Sequence, residues 1–355
     1  MKPITVLIVD DSALIRQMFM EMLSAEPDIE VIGTASDPLE AREKIKKLNP
    51  DVLTLDIEMP KMDGLTFLEK IMTLRPMPVI MASSLTQKGA EESIRALEIG
   101  AFDYVSKPVS NQTSDTIGEL KDELVAKVRA AAKANITRRR TNSKTSETPN
   151  IVSFNPQKGR TRRIIAIGAS TGGVEALREL FIRLPSNCPP IVVTQHMPEA
   201  FTKSFALRLN NLSQVTVSEA ANHDRLKEGH AYIAPGGASH LKIVRIGADF
   251  VCKLEEGATV SSHRPSVDVL FHSVAESAGA RAVGVILTGM GKDGAIGMKS
   301  MRDCGAYNIG QDQASCVVYG MPQMAMRAGA VHVELPITEI AKEMLKFCEK
   351  VDAGV

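Results

Sequence analysis

From residue 5 to about residue 132, short β-branched runs alternate with stretches whose apolar residues recur at three and four positions. That alternation predicts five βα units around a parallel sheet covered on both faces. The strands are predicted at 5–9, 30–33, 52–55, 79–82 and 104–106, and the helices near 14–24, 41–48, 65–74, 91–97 and 119–132. In the first helix Ile15, Met18, Phe19, Met22 and Leu23 make one apolar face. The rhythm resumes after Arg163 with strand 164–167, helix 174–184, strand 191–194 and helix 201–209. A strand-rich middle follows at 215–217, 231–234, 241–246 and 250–254, broken by glycine turns such as Pro235-Gly236-Gly237. Helix 267–278, strand 283–287, helix 295–304 and strand 306–309 restore the α/β order.

Between about 135 and 163 the chain turns to Thr, Ser, Asn, Lys, Arg and Pro, including Arg138-Arg139-Arg140, and loses its apolar period. The expectation is an α/β protein with one domain over 1–132, a flexible linker over 133–160 and a second domain over 161–355. The second is expected to be doubly wound and mostly parallel, with an antiparallel β insertion. Charge changes the picture only by exclusion: 42 basic residues balance 42 acidic ones, so no net field draws the chain to nucleic acid or anionic lipid. No tryptophan is present for base stacking, and neither specific nucleic-acid binding nor membrane insertion is expected. Five scattered cysteines without a C-x-x-C pair argue against a disulfide framework or zinc site and point to a cytoplasmic location.

In open α/β sheets ligands meet the carboxyl ends of the strands. In the first half those ends carry Asp10-Asp11, Asp56, Ser83 and Lys107-Pro108. Three convergent carboxylates repel unless a hard cation joins them, and an oxygen-rich set suits Mg2+. Leu55-Asp56-Ile57-Glu58-Met59-Pro60, Met62-Asp63-Gly64 and Val105-Ser106-Lys107-Pro108 together resemble the receiver domain of two-component response regulators, over about residues 3–125. The resemblance implies a flavodoxin-like (βα)5 fold. It also implies Asp56 as phosphoacceptor, Asp10, Asp11 and Asp56 as Mg2+ ligands, and Ser83, Tyr104 and Lys107 as switch residues. For Tyr104, a plain half-buried strand residue is an equal reading.

In the second half, strand 164–167 runs into Gly168-Ala169-Ser170-Thr171-Gly172-Gly173 and then a helix, a G-x-S-x-G turn that exposes a serine hydroxyl. The same turn also suits a phosphate cradle. The next strand ends in Gln195-His196-Met197-Pro198, where an imidazole can take the Ser170 proton. A third ends in Thr288-Gly289-Met290-Gly291-Lys292-Asp293-Gly294, which offers Asp293 to orient His196 and the Met290 backbone N–H to an oxyanion. That segment also reads as G-x-G-x-x-G with Asp312 beyond it, a dinucleotide signature that leaves Ser170 and His196 unexplained.

These segments, with His263-Arg264-Pro265-Ser266-Val267-Asp268, closely resemble the catalytic domain of the chemotaxis protein-glutamate methylesterases over about 160–350. The resemblance implies hydrolysis of glutamate γ-methyl esters on methylated chemoreceptors and deamidation of particular receptor glutamines. Ser170 is then nucleophile, His196 general base, Asp293 the orienting carboxylate and Met290 an oxyanion donor, with Thr171 nearby and no cofactor for the hydrolysis. A chemotaxis histidine kinase is the implied phosphodonor, and the unphosphorylated receiver is implied to limit access to the catalytic cleft. His263, Arg264 and Asp268 are read as structural residues around helix 267–278, with a substrate groove as the alternative. His223, His230, His240, His272 and His332 are read as ordinary surface or core residues. A regulator with a DNA-binding second domain and a nucleotide-dependent oxidoreductase are the competing classes.

Overall fold

The computed structural model describes residues 2–60, 62–108, 114–134, 150–155 and 163–349. The chain divides into two compact units, Met1–Ser146 and Glu147–Val355. Arg138, Arg139 and Arg140 lie outside the described residues, as does most of the predicted linker. Residues 150–155, placed in that linker by their polar neighbours, pack on the second unit instead. Phe154 is buried, Val152 N–H donates to Arg183 O (2.9 Å), and Asn155 N–H donates to Glu349 (3.0 Å).

The first unit contains β1 (Ile4–Val9), β2 (Ile29–Ala35), β3 (Val52–Asp56), β4 (Val79–Ser83) and β5 (Asp103–Ser106), in the order β2-β1-β3-β4-β5 and all parallel. This is the flavodoxin-like arrangement, whose order reverses between β1 and β3 and opens a crevice at their carboxyl ends. Helix starts follow from local chemistry. Ser12, Asp37, Asp63 and Thr86 each accept a backbone N–H of the helix they precede. Asp37 with Pro38 behind it starts the second helix at Pro38, earlier than its apolar period showed.

The second unit holds β6 (Ile164–Ala169), β7 (Ile191–Gln195), β8 (Thr216–Glu219), β9 (His230–Ile233), β12 (Ala282–Ile286), β13 (Tyr307–Gln311) and β14 (Val333–Leu335) in one sheet, ordered β14-β13-β12-β6-β7-β9-β8. Every pairing in it is parallel. The antiparallel insertion is β10 (Ser239–Ile246) with β11 (Asp249–Glu256). Of the four strands in the strand-rich middle, β8 and β9 therefore extend the main sheet, although no helix joins them to advertise a parallel crossover. Helices Met321–Arg327 and Ile337–Glu349 and strand β14 had no counterpart in the sequence reading.

The hairpin is anchored by burial rather than by sheet edges. Leu241, Ile243, Phe250 and Cys252 join Leu270, Phe271 and Val274 of helix Val267–Ala278 in one core, and Ile243 N–H donates to Ser273 Oγ (2.9 Å). That helix crosses beside β6, so its N-terminus comes to the sheet end where β6, β7 and β12 stop. Strand order reverses there too.

Candidate active site

In the first unit the predicted residues converge. Asp10, Asp11 and Asp56 bring one carboxylate oxygen each within 4.8 Å of the others, with Asp10 and Asp56 buried and Asp11 exposed. Lys107 Nζ bridges Asp56 Oδ1 (2.7 Å) and Asp10 Oδ2 (2.9 Å). Burial, opposed by the Lys107 hydrogen bond and reinforced by the Asp10 charge, pushes the Asp56 carboxyl up to about 6. Asp56 Oδ2 is buried without a hydrogen-bond partner among the described residues. A buried, crowded carboxylate set with an orphan oxygen is the arrangement a hard divalent cation relieves, so these residues fit Mg2+. A cavity of about 440 Å³ opens beside them, bounded by Asp11, Glu58, Met59 and Lys88.

Ser83 Oγ donates to Gly89 O (3.0 Å), and Tyr104 is buried with Lys127 Nζ 4.9 Å from its ring centroid. The structure thus puts Tyr104 in the core rather than half-exposed.

In the second unit Ser170 follows β6, His196 follows β7, and Asp293 stands in the loop after β12. Gly172 at φ +79° turns the chain from β6 into helix Gly173–Phe181, and a side chain there would also strike Val317. Ser170 Oγ donates to His196 Nδ1 (3.1 Å). On the far side of the ring His196 Nε2 meets Asp293 Oδ2 at 2.7 Å. A carboxylate only accepts, so Nε2 carries the proton and Nδ1 offers its lone pair to the serine.

Asp293 is held by more than the histidine. Its Oδ1 accepts from Ser266 Oγ (2.8 Å), Asp268 N–H (3.0 Å) and Gly294 N–H (3.0 Å), and its Oδ2 accepts from Val267 N–H (2.7 Å). The carboxylate thus occupies the N-termini of helices Val267–Ala278 and Ala295–Asp303, a place suited to an anion. Burial works against the charge, yet the His196 bond and these backbone donors outweigh it and hold the carboxyl at about 2. Within the glycine signature the Gly294 N–H at the helix start, which a pyrophosphate would meet, already serves Asp293. Asp312 is spent locally, accepting from Ser315 N–H and Oγ.

Gly289 passes so close to the serine that a Cβ would sit 2.8 Å from Ser170 Cβ. Next to it the Met290 N–H makes no hydrogen bond among the described residues. Thr171 is buried, and its carbonyl accepts from Thr288 Oγ1 (3.0 Å).

Several residues carry more of the site than their sequence neighbourhood indicated. Gln195 Nε2 donates to both Ser170 O (3.0 Å) and His196 O (3.1 Å), tying the two loops together. The His263 ring lies parallel to that of His196, with centroids 3.6 Å apart and an interplanar angle of 8°. It follows a two-residue turn in which Val260 and His263 exchange backbone hydrogen bonds and Ser261 and Ser262 sit at φ +52° and +64°. Such a turn prefers Asn-Gly, and left-handed non-glycine residues cost about 1–3 kcal/mol each. Arg264 donates to Gly237 O and Gly257 O (both 2.6 Å), and Asp268 Oδ1 accepts from Gly297 N–H (2.7 Å). Arg264 and Asp268 therefore serve the scaffold, as read from the sequence, whereas His263 faces the imidazole. His196, His263 and Asp293 also lie within metal-ligand distance of one another, but in-plane lone pairs of two parallel rings do not converge on one ion.

Of the remaining histidines, His240 is buried between Ser266 N–H and Ala258 O, His332 accepts from Asn308 N–H, and His230 donates to Glu228 O. No helix among the described residues is long and apolar enough to cross a membrane.

Residues 165–344 match the protein family described as CheB methylesterase, and residues 6–116 match the response regulator receiver domain. The chain belongs to the CheB methylesterase family. A protein-glutamate methylesterase/protein-glutamine glutaminase of Thiobacillus denitrificans is 53% identical over 346 residues, 97% of this chain and 96% of the relative. One of the same description from Pectobacterium atrosepticum is 54% identical over 347 residues, 97% of each chain. The CheB methylesterase catalytic domain of Thermotoga maritima, a solved structure, is similar with TM-score 0.51 and 39% identity, over 52% of this chain and 97% of that one. As a CheB methylesterase the chain is a hydrolase joined to a receiver, which excludes the DNA-binding and oxidoreductase classes for its second unit.

Proposed function

We propose that this CheB methylesterase hydrolyses glutamate γ-methyl esters of chemoreceptors through Ser170, His196 and Asp293, and deamidates receptor glutamines by the same acyl chemistry. One observation carries the reading: a hydroxyl, an imidazole and a carboxylate in series, at 3.1 and 2.7 Å, on three neighbouring strand ends of one parallel sheet. Ser170 Oγ attacks the ester carbonyl while its proton passes to His196 Nδ1. Asp293 stabilises the imidazolium through Nε2–H without taking the proton itself. The Met290 N–H receives the oxyanion, His196 protonates departing methanol, and the same nitrogen then draws a proton from water to release the receptor carboxylate. With a glutamine side chain, ammonia leaves in methanol's place.

Asp56 is the phosphoacceptor in this reading, and a chemotaxis histidine kinase is the donor. Asp10, Asp11 and Asp56 would hold Mg2+, which when bound screens the charge of a phosphoryl group. Lys107 gives the same pocket a fixed cation. Phosphorylation adds about 1.5 to 2 negative charges at Asp56 and relieves a restraint that the receiver places on the esterase. The enzyme works in the cytoplasm, where the methylated receptor segments face it.

The test is methanol release from methylated receptor membranes, with and without Mg2+ and a small-molecule phosphodonor. Ser170→Ala is expected to abolish release and leave Asp56 phosphorylation intact. Substantial residual release would remove the serine from its role.

A further inference from the structure

We propose that His263 is a positioning residue for the hydrolysis, acting as a flat plate that fixes the plane of His196. The inference rests on the role proposed for His196 above. Two in-plane hydrogen bonds, through Nδ1 to Ser170 and Nε2 to Asp293, pin the imidazole along a line and leave it free to tilt about that line. A parallel ring 3.6 Å away removes the tilt by filling the space on one face.

The need is greatest after acylation. Ser170 Oγ is then bonded to the acyl group and no longer donates to Nδ1, so one of the two pins is gone when His196 has to align with water. The stacked ring remains. An aromatic face also lies favourably against the imidazolium formed in each half-reaction.

The backbone is built around this placement. His263 Nδ1–H donates to Ser261 O (2.6 Å), which fixes the orientation of the plate. The turn that presents it keeps two consecutive serines in the left-handed region, an arrangement that persists only where surrounding structure enforces it. Before His263 in the chain the Val260–His263 bridge closes the turn, and directly after it the Arg264 guanidinium is anchored on Gly237 O and Gly257 O. Three and four residues after His263, Ser266 and Val267 grip Asp293. One continuous segment, 260–268, therefore orients the imidazole and its carboxylate together.

The experiment compares full-length wild type, His263→Ala, His263→Phe and Ser170→Ala for kcat and KM of methanol release, with thermal melting of each. Loss of an alignment of this kind typically costs about 10- to 100-fold. His263→Ala is expected to lower kcat by that factor with KM within about twofold, and His263→Phe to recover kcat to within about threefold, because Phe restores a flat face without the nitrogens. A wild-type kcat in His263→Ala, a loss confined to KM, or no recovery in His263→Phe would each overturn the proposal. If His263→Ala does not melt cooperatively, His263→Phe decides alone: near wild-type kcat supports the plate, and a loss above about tenfold refutes it. Ser170→Ala separates the two levels, since activity there overturns the serine mechanism itself, whereas an inactive Ser170→Ala beside a fully active His263→Ala overturns only the plate.

Discussion

Asp293→Asn is the most searching single change, because in the proposed mechanism the carboxylate that holds the local fold also orients His196. Of its two oxygens, Oδ1 takes three donors and Oδ2 takes Val267 N–H and His196 Nε2. An amide keeps the three only by turning its NH2 toward the other two. His196 must then accept at Nε2, which moves its proton to Nδ1 and leaves nothing to take the Ser170 proton. By analogy with the same substitution in serine proteases, kcat is expected to fall about 10^4-fold.

Stability falls as well. Asp293 is held at about 2 against 3.8 for a free carboxyl, which at about 1.4 kcal/mol per tenfold is worth about 2 kcal/mol. Facing the amide, the buried Val267 N–H loses its acceptor, at a cost of about 1–3 kcal/mol. Together about 3–5 kcal/mol should lower the melting temperature of the second unit by about 10 °C at pH 7. Because the folded-state pKa is depressed, the charge-dependent part is present above pH ~3.8 and is lost as pH falls through ~2. The gap between wild type and Asp293→Asn should therefore narrow between pH ~4 and ~2. Methanol release and melting of the purified full chain, each against wild type, read both effects. A kcat within tenfold of wild type, or an unchanged melting temperature at pH 7, would refute the assignment.

Gly289→Ala puts a methyl 2.2 Å from Met321 Sδ and 2.8 Å from Ser170 Cβ. Methionine can move aside and the serine turn cannot, so kcat is expected to drop about 100-fold with about 1–3 kcal/mol of destabilisation, measured by turnover and denaturant melts. Asp56→Asn is expected to abolish stimulation by Mg2+ and phosphodonor while leaving basal methanol release within about twofold; a variant that still responds would move the phosphoacceptor elsewhere. Removing residues 1–140 is expected to raise basal methanol release, and an unchanged or lower rate in a folded fragment would count against restraint by the receiver.

Much of this was legible because it is local. Strand and helix periods, a serine in a glycine turn, and acidic or basic residues just past strand ends are short-range patterns, and parallel sheets put such ends on one edge wherever the strands pair. Ser170, His196 and Asp293 were accessible in that way, as were Asp10, Asp11, Asp56 and Lys107. Met290 was read from its place in the glycine-rich turn after the third strand, whereas Thr171 came only from resemblance.

Other features had no short-range mark. Strands β8 and β9 look like part of a hairpin series because nothing in 220–229 declares a parallel return, and only the parallel pairing of β9 on β7 and of β8 on β9 assigns them to the main sheet. The Ser266 hydroxyl on Asp293 and the His263 ring on His196 join residues far apart in sequence. The sequence by itself determined which chemical groups stand at the sheet's carboxyl edge, because period and turn chemistry act over a few residues. Only the tertiary structure decided how they are oriented, because ring stacking, helix termini and shared acceptors depend on how distant elements pack.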